Sequence, residues 1–404
     1  MSTPMKDTSS LAAPSTALAA DPAPPALVFV QDRDSEGVIR QSLADLNITD
    51  AVFVSAGINA AVSELARRSS PRLLIVDVGG VGDPLSRIKE LANVCEPSTG
   101  LIVVGDSNDI VLYRDLKEAG VVEYFFKPLV KNLVTRACSG ILVGDKGKSP
   151  PRTGKLVLSL SVRGGVGATT ITARSAWHLA MERDRRVLLI DLDVYMGDAA
   201  LQLDTAPTHA LREALEHPER VDDLFLERGL IRATPRLDLL ASLEPFGDVI
   251  PFQEDAVLAL LTNLLHRYRY VFVDMPGALA AQMMRVMHLP SVCLLVSDGR
   301  LVSARDVARW RKRIGPNTPE RSTLHVLNKQ GAHGSLPLDQ FVKAAGQAPD
   351  IIIPYDREIE LASTLGMAGI AKCGAMTRAL APLFRDFGGG TVEESQSLLS
   401  RLFG

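Results

Sequence analysis

The fold is decided by the stretch Lys155-Leu-Val-Leu-Ser-Leu-Ser-Val162 and the residues that follow it, Arg163-Gly-Gly-Val-Gly-Ala-Thr-Thr170. The first part is an apolar run of strand length, and a segment with helical periodicity opens at the end of the second part. A glycine-rich loop between a strand and a helix turns its backbone N–H groups toward an anion. The stretch therefore predicts a nucleotide-phosphate site, although a tight strand-to-helix turn could carry the same glycines.

The loop lacks the lysine of the general pattern G-x-x-x-x-G-K-[ST]. Val162 stands where that pattern has its first glycine, and Ala168 stands where it has lysine. Thr169 keeps the hydroxyl that ligates Mg²⁺ in loops of this kind. Nucleotide binding and nucleotide hydrolysis are therefore separate questions for this chain.

A second apolar run, Val187-Leu-Leu-Ile-Asp-Leu-Asp-Val194, closes on two acids. Residues two apart in a strand point the same way, so Asp191 and Asp193 are predicted to face the cleft at the carboxyl edge of the sheet. One acid could instead cap a helix while the other is solvated. Their position after a phosphate-loop helix favours a functional role.

These motifs resemble those of the MinD/ParA family of P-loop ATPases, whose loop reads K-G-G-x-G-K-[ST]-[ST]. In that family the first lysine reaches the partner subunit's phosphates across an ATP sandwich dimer, and the second holds the β- and γ-phosphates in cis. The first role falls on Arg163, which keeps the charge and adds a planar fork. The second falls on Ala168, which keeps nothing of it. The resemblance implies an ATP- and Mg²⁺-binding homodimer with slow or absent hydrolysis.

The resemblance also implies a role for each further motif. Asp191, Thr169 and Asp274 would serve the Mg²⁺, partly through water, and Asp193 would orient the attacking water if hydrolysis occurs. Asp274 lies in the Walker B-like run Tyr270-Val-Phe-Val-Asp-Met-Pro-Gly277. The other implied nucleotide-binding positions are Arg163, Gly164, Gly165, Val166, Gly167, Ala168, Thr170, Gly277 (near the γ-phosphate), Asn328 (reading the base), and Pro354 and Asp356 (closing over adenine). A strand that ends in Asn or Pro is also an ordinary start of a loop.

The first part of the chain alternates short apolar runs with helix-like segments. The runs are Ala26–Val30, Ala51–Val54, Leu73–Asp77, Leu101–Val104 and Val122–Phe126. This alternation predicts an α/β fold with a flavodoxin-like, doubly wound sheet, before a second doubly wound domain of P-loop type. The arrangement resembles a response-regulator receiver, in which Asp77 would be the phosphoacceptor.

The receiver resemblance is incomplete at the residues of the chemistry. Gln31 precedes Asp32 where receivers usually have paired acids, and Asp106 follows the fourth strand where Thr or Ser is usual. Such departures at a Mg²⁺ site remove ligands. We therefore expect a pseudo-receiver that serves as a docking surface, with phosphorylation of Asp77 as the alternative.

Composition agrees with two folded domains. The chain has 404 residues, is 46% hydrophobic, and carries a net charge of −3 that gives no general attraction to nucleic acid. Four scattered cysteines suit a reducing cytoplasm and argue against zinc, and no apolar run approaches the ~20 residues of a membrane span. The predicted parts are a disordered leader (1–26), the receiver-like domain (27–143), a linker (144–154), the MinD/ParA-like domain (155–388), and a tail with a short amphipathic helix (389–404).

The two domains together resemble the CpaE/TadZ pilus assembly proteins. The residues that carry this resemblance are the run from Gly105 to Leu129 and the Arg-Gly-Gly-Val-Gly-Ala-Thr-Thr loop, and it extends from residue 27 to about 388. It implies a bacterial cytoplasmic protein at the cell pole, near the inner membrane. Its implied partners are a pilus assembly ATPase or polar landmark proteins, since this family recruits the machinery of Flp-type (tight adherence, type IVb) pili.

Two other functions stay open. One is an active ATPase in positioning or DNA partition, which needs another cation, such as Arg163, to replace the one missing at Ala168. The basic run Arg305–Arg313 could then touch DNA or anionic lipid, but a solvated helix face is the expected reading, so DNA is an unlikely partner and membrane contact at most peripheral. The other is a two-component output protein that is phosphorylated on Asp77.

Overall fold

The structure, a computed structural model, describes residues 24–387 except 67, 69, 143–152, 251 and 363. The predicted tail lies outside the described residues, as do most of the predicted leader and linker. Within the described part of the chain, no helix has both the length and the apolar character that a bilayer crossing requires.

The first domain is a five-stranded parallel sheet with helices on both faces. Its strands are β1 (Ala26–Phe29), β2 (Val52–Val54), β3 (Leu73–Asp77), β4 (Gly100–Gly105) and β5 (Glu123–Phe126). Its helices are α1 (Arg33–Asp45), α2 (Ile58–Leu65), α3 (Pro84–Val94), α4 (Ile110–Glu118) and α5 (Lys131–Leu142). The strand order β2-β1-β3-β4-β5 is the flavodoxin-like order that the alternation predicts.

Strand β3 shows why this sheet has a helical layer on each face. Leu74 and Val76 belong to one hydrophobic cluster, and Leu73 and Ile75 belong to another on the opposite face. A strand buried on both faces reads as an unbroken apolar run, which is what the sequence shows. Helices α1, α3 and α4 begin at capping acids: for example, Asp32 accepts a hydrogen bond from the Ser35 amide at 2.7 Å ahead of α1.

The second domain is an eight-stranded sheet between helical layers. Its strands are β6 (Lys155–Ser161), β7 (Val187–Asp191), β8 (Ile231–Thr234), β9 (Leu237–Ala241), β10 (Tyr270–Met275), β11 (Ser291–Asp298), β12 (Arg321–Gln330) and β13 (Ile351–Pro354). Its helices are α6 (Ala168–Trp177, continued by a π-helical turn at His178–Glu182), α7 (Ala199–Gln202), α8 (Ala210–Glu216, followed by a 3₁₀ turn at Pro218–Arg220), α9 (Asp223–Gly229), α10 (Glu254–Leu265), α11 (Gly277–Ala280), α12 (Met284–Met287), α13 (Leu301–Ile314), α14 (Leu338–Ala345), α15 (Arg357–Ala362), α16 (Gly366–Lys372), α17 (Gly374–Ala379) and α18 (Ala381–Phe387).

The order of this sheet places the glycine-rich loop at its centre. The strands run β13-β12-β11-β6-β10-β7-β9-β8, all parallel except β8, which pairs antiparallel with β9. Strand β6 has β11 on one side and β10 on the other, so the chain changes winding direction there. Ligands of open α/β sheets bind outside the carboxyl ends of the strands at such a point. The predicted α/β fold with two doubly wound domains is confirmed.

The domains contact each other at the opposite edge of the second sheet. Arg186, Arg236 and Arg269 each directly precede a parallel strand, β7, β9 and β10, and so lie at the amino edge. Arg186 pairs with Glu96 of the first domain at 2.8 Å, and Arg269 donates to Asn93 Oδ1 at 3.0 Å. Arg236 donates to the carbonyl oxygen at the end of α2. The first domain therefore leaves the carboxyl edge of the second sheet uncovered by these contacts.

Candidate nucleotide-binding site

Glycine geometry and a buried anchor shape the loop between β6 and α6. Gly165 and Gly167 have φ angles of 77° and 89°, in the left-handed region that side-chain-bearing residues avoid. Between them, Val166 is buried in the core of the domain. Helix α6 begins at Ala168, directly after this turn. The loop is therefore held in a fixed curve at a helix N-terminus, the arrangement that binds phosphate.

The hydroxyl and the Walker B-like acid predicted for Mg²⁺ are in contact. Thr169 Oγ1 donates a hydrogen bond to Asp274 Oδ2 at 2.5 Å. Asp274 is buried in β10 and lies in register with Asp191 of β7. Burial raises the pKa of Asp274 well above its usual range, and the nearby charge of Asp191 adds to the shift.

Asp191 is similarly perturbed. Burial raises its pKa to about 7, although the amides of Asp193 and Ala199 donate hydrogen bonds that favour the charged form. Two adjacent buried carboxylates stay ionised only at a cost in free energy, which a divalent cation removes. A threonine hydroxyl and carboxylate oxygens are also the donors that Mg²⁺ prefers. The residues present therefore fit a magnesium ion.

The two acids after β7 do not face the same way. Asp193 lines the cleft, and its Oδ1 accepts the Met196 amide at 3.0 Å. Asp191 is 2% exposed and does not line the cleft. The strand ends at Asp191 and the chain then turns, so the two-residue alternation on which the prediction rested stops there. The prediction that both carboxylates face the cleft is corrected to Asp193 alone.

Gly277 stands on the opposite wall, where β10 passes into α11. A Cβ atom at this position would come within 2.6 Å of the Ser161 carbonyl oxygen. Only glycine therefore allows the backbone to approach the end of β6 this closely. Gly277 lines the cleft together with Thr169 and Thr170.

Arg163, the residue predicted to act across a dimer, is paired within its own subunit. Its Nη1 lies 2.6 Å from Asp306 Oδ2 in α13, and its side chain is 45% exposed. Partial burial raises the pKa of Asp306, but hydrogen bonds from Arg163 and Arg305 outweigh burial and hold the pKa below its usual range. Sequence reasoning missed Asp306, which lies inside a basic run that was interpreted by its charge alone.

The residues predicted to hold the adenine do not line this cleft. Asn328 is buried at the end of β12, and its Nδ2 donates to the Val166 carbonyl oxygen at 2.8 Å. Pro354 ends the edge strand opposite Gln330, and Asp356 accepts the Glu358 amide at 2.8 Å. Asn328 therefore braces the phosphate loop, a contact that the strand pattern did not predict.

The cleft measures about 1280 Å³, more than the roughly 300–1,000 Å³ of an ordinary small-molecule site. One wall is the phosphate loop, and another is α13, which contributes Arg309, Trp310, Lys312 and Arg313. The basic run was expected to be a solvated helix face, and Arg309, Lys312 and Arg313 are exposed where they line this cleft. We refer to Arg309, Lys312 and Arg313 as the basic rim.

In the first domain, the predicted phosphoacceptor is enclosed. Asp77 is fully buried, and its Oδ2 accepts hydrogen bonds from Lys127 Nζ at 2.8 Å and from the Gln31 amide at 3.1 Å. Its Oδ1 accepts the Gly79 amide at 2.8 Å. Lys127 Nζ also lies 2.9 Å from Asp32 Oδ2 and 3.5 Å from Asp106 Oδ1. Burial lowers the pKa of Lys127, but its contacts with Asp77 and Asp32 outweigh burial and raise it. Both oxygens of Asp77 are engaged within the domain.

Comparison with known proteins gives one family match. The family model described as cellulose biosynthesis protein BcsQ matches residues 155–303, from β6 to the start of α13. The matched residues all lie within the second domain. A search of curated proteins finds no match.

Several solved structures are similar to parts of the chain. A ParA family ATPase from Chlorobium tepidum TLS is 22% identical, with 56% of this chain and 96% of that chain covered and a TM-score of 0.49. The septum site-determining protein MinD complexed with Mg-ADP, from Pyrococcus horikoshii OT3, is 19% identical over 58% of this chain and 96% of that chain, with a TM-score of 0.46. The pilus assembly protein CpaE from Caulobacter crescentus CB15 is 32% identical over 29% of this chain and 92% of that chain, with a TM-score of 0.27.

Proposed function

We propose that this chain is an ATP- and Mg²⁺-binding scaffold of the CpaE/TadZ kind, which dimerises around nucleotide and hydrolyses it slowly or not at all. In this role it recruits Flp-type pilus assembly machinery to the cell pole. The observation that carries the proposal is a phosphate loop with its left-handed glycines and its Thr169–Asp274 contact in place, but with Ala168 at the lysine position.

In this proposal the loop binds the phosphates, and the threonine hydroxyl and the acids bind the metal ion. The amides around Gly165 and Gly167 would face the phosphates, and Thr169 with Asp274 and Asp191 would hold Mg²⁺, directly or through water. The bound ion would supply charge neutralisation for the phosphates. Thr169 Oγ1, which now donates to Asp274, would be available to hold the ion. Because the pKa values of Asp191 and Asp274 are raised, ion binding would be accompanied by release of protons from these carboxyl groups.

Dimerisation follows from a change of partner at Arg163. Its guanidinium leaves the carboxylate of Asp306 and takes a phosphate of the second subunit, so one anion replaces another. The exchange needs both a triphosphate and a second copy of the chain. Nucleotide therefore stabilises the symmetric dimer by mass action.

Slow turnover follows from the charge that is absent at position 168. Phosphoryl transfer is catalysed mainly by positioning and by charges that stabilise the transferring group. Asp193 remains in the cleft to orient a water molecule, but Ala168 gives no cation in cis. Long-lived dimers suit a positional scaffold.

The first domain is the proposed docking surface for the pilus machinery. Its enclosed Asp77 leaves phosphorylation as the weaker alternative, because both carboxylate oxygens already accept hydrogen bonds. The domain exposes Ile110 and Val111 on α4 and Val130 and Leu133 beside α5. These exposed apolar side chains are the proposed points of contact with a partner protein.

The match to the BcsQ family favours a second candidate, a positioning ATPase that serves a different assembly, such as cellulose biosynthesis. The match covers the nucleotide-binding domain that both candidates share. A fluorescent fusion in bacteria that carry Flp pilus genes would separate them. A polar focus that recruits the pilus assembly ATPase supports the first, and a focus that forms without affecting the pilus supports the second.

The nucleotide mechanism is tested by measuring molar mass with ATP and Mg²⁺, with ADP, and without nucleotide. We expect a dimer with ATP only, and its loss in Arg163→Ala. Arg285→Ala is the matched control, since this arginine is exposed and pairs with Asp255 away from the cleft. A molar mass that does not change with nucleotide contradicts the proposal. ATP turnover on the order of 1 per second, as in competent ATPases, also contradicts it.

A further inference from the structure

The phosphate loop has lost one cation and keeps another that is already engaged. Ala168 offers no charge, and Arg163 is paired with Asp306 at 2.6 Å. Nucleotide phosphates carry several negative charges, which backbone amides stabilise only in part. A protein that binds nucleotide through this loop would therefore draw a positive charge in cis from another element.

Lys329 brings such a charge to the loop from β12. Its Nζ donates a hydrogen bond to the Gly165 carbonyl oxygen at 3.0 Å, and the residue lines the cleft. Its Cε lies 3.9 Å from where a Cβ of Gly167 would stand, so the side chain runs along the loop from residue 167 to residue 165. One of the three ammonium donors is used on the carbonyl, which leaves two for a ligand.

The backbone of Lys329 is unusual in a way that directs this side chain. Its φ is +56°, in the left-handed region that a non-glycine residue occupies at a cost of about 1 kcal/mol. The neighbouring residue Asn328 donates to the next carbonyl of the loop, that of Val166. Two consecutive residues at the end of β12 thus hold two consecutive carbonyls. Strained backbone kept in such a place is typical of a functional site.

We propose that Lys329 is a nucleotide-binding residue that supplies from β12 the positive charge missing at position 168. It acts on the phosphates that the loop itself surrounds, the ones common to ADP and ATP. This inference rests on the proposed nucleotide binding. It assigns the binding part of the lost lysine's role to Lys329 and leaves the part that speeds hydrolysis without a replacement.

The basic rim is less suited to this task. Its cations belong to α13, the helix that also carries Asp306, on a wall of the cleft separate from the loop. They face whatever enters the wide part of the cleft, whereas the ammonium of Lys329 is hydrogen-bonded to the loop. We therefore expect the two sets to meet different parts of a bound nucleotide.

The test is the affinity of the full chain for fluorescent ADP and ATP analogues with Mg²⁺, measured at low and high salt. Lys329→Gln keeps a hydrogen-bond donor without the charge, and we expect it to weaken binding of both nucleotides about tenfold at low salt. The deficit should shrink at high salt. Lys329→Arg should restore most of the affinity, and Lys343→Gln, on the exposed face of α14, should change nothing.

The outcomes separate this inference from the proposed function. Wild-type affinity in Lys329→Gln overturns the inference and leaves the proposed function intact. A loss of affinity that is the same at low and high salt also overturns the inference, and so does an equal loss in Lys329→Arg. Either result is expected of a lysine that only braces the loop. Wild-type protein that takes up neither analogue overturns both.

Discussion

At the scale of single residues, Ala168 decides how this site differs from a competent ATPase. It is 5% exposed, opens α6 and lines the cleft, so a longer side chain at this position has open space in which to extend. The other elements that a phosphoryl-transfer site needs, a loop, a hydroxyl and acids, are present around it. The missing function is therefore restricted to one charge.

We predict that Ala168→Lys raises the rate of phosphate release from Mg-ATP. The physical reason is the charge returned beside the transferring group, and removal of one such stabilising group costs about 10²–10³ in rate in other enzymes. Phosphate release is measured under single and multiple turnover. Ala168→Met, of similar length and uncharged, is the control, and equal rates in the two variants would refute the prediction.

The residues of the loop could be predicted from the sequence because they are consecutive. Gly165, Gly167 and Thr169 each have a role that their type and spacing determine. Asp306 and Lys329 could not be, because each meets the loop from a strand or helix far along the chain, at separations of 143 and 164 residues. The order of the strands in the sheet determines which distant residues meet the loop. The local sequence pattern does not reveal that order.

At the scale of elements, β12 combines a core role with a site role. Its far end carries Asn328 and Lys329, and its middle carries His325, which is fully buried. His325 Nε2 lies 2.8 Å from Ser297 Oγ of β11. The His325 ring stacks on the ring of Phe341 in α14, with the ring centroids 5.8 Å apart. The histidine therefore ties together the layers that position the end of β12.

We predict that His325 makes the protein less stable in mild acid. Burial, with a smaller effect from the Arg311 charge, lowers its pKa to about 3, so the unfolded chain binds a proton that the folded protein excludes. The free energy of unfolding should then fall as pH decreases from about 6.5 toward 3, by at most about 1.4 kcal/mol per unit from this group.

Denaturant unfolding at pH 5 and pH 7 measures this slope. His325→Gln should reduce the difference between the two pH values, and the exposed His333→Gln should leave it unchanged. An unaltered difference in His325→Gln would show that this histidine does not titrate as its burial requires.

Most strands were predictable as apolar runs, and two were not. Strand β8 is a short antiparallel edge strand with alternating exposure, and β9 carries a carboxylate in its middle. That carboxylate, Asp238, accepts the Tyr268 hydroxyl at 2.6 Å and lies 3.6 Å from Arg186. A polar residue satisfied by distant partners interrupts the hydrophobic pattern without interrupting the strand.

At the scale of the whole molecule, the nucleotide cleft and the contact with the first domain lie at opposite edges of the second sheet. The nucleotide cleft occupies the carboxyl edge, and the first domain contacts the amino edge through Glu96, Asn93 and the end of α2. Glu96 is held by Arg186, and burial raises its pKa even though the arginine's charge opposes the shift. The contacts between the domains therefore leave the cleft uncovered.

We predict that Glu96→Gln weakens the contact between the domains without affecting nucleotide uptake. The change removes this ion pair from the largely buried Arg186 and leaves its longer contact to Asp238, at 3.6 Å, which costs about 1–3 kcal/mol. The two domains should then unfold at more widely separated temperatures, and small-angle scattering should report a larger radius of gyration. Glu90→Gln, which breaks an exposed pair with Arg87 on the same helix, is the control. Coincident unfolding and an unchanged radius in Glu96→Gln would mean that the arginines at the amino edge do not depend on this carboxylate to hold the first domain.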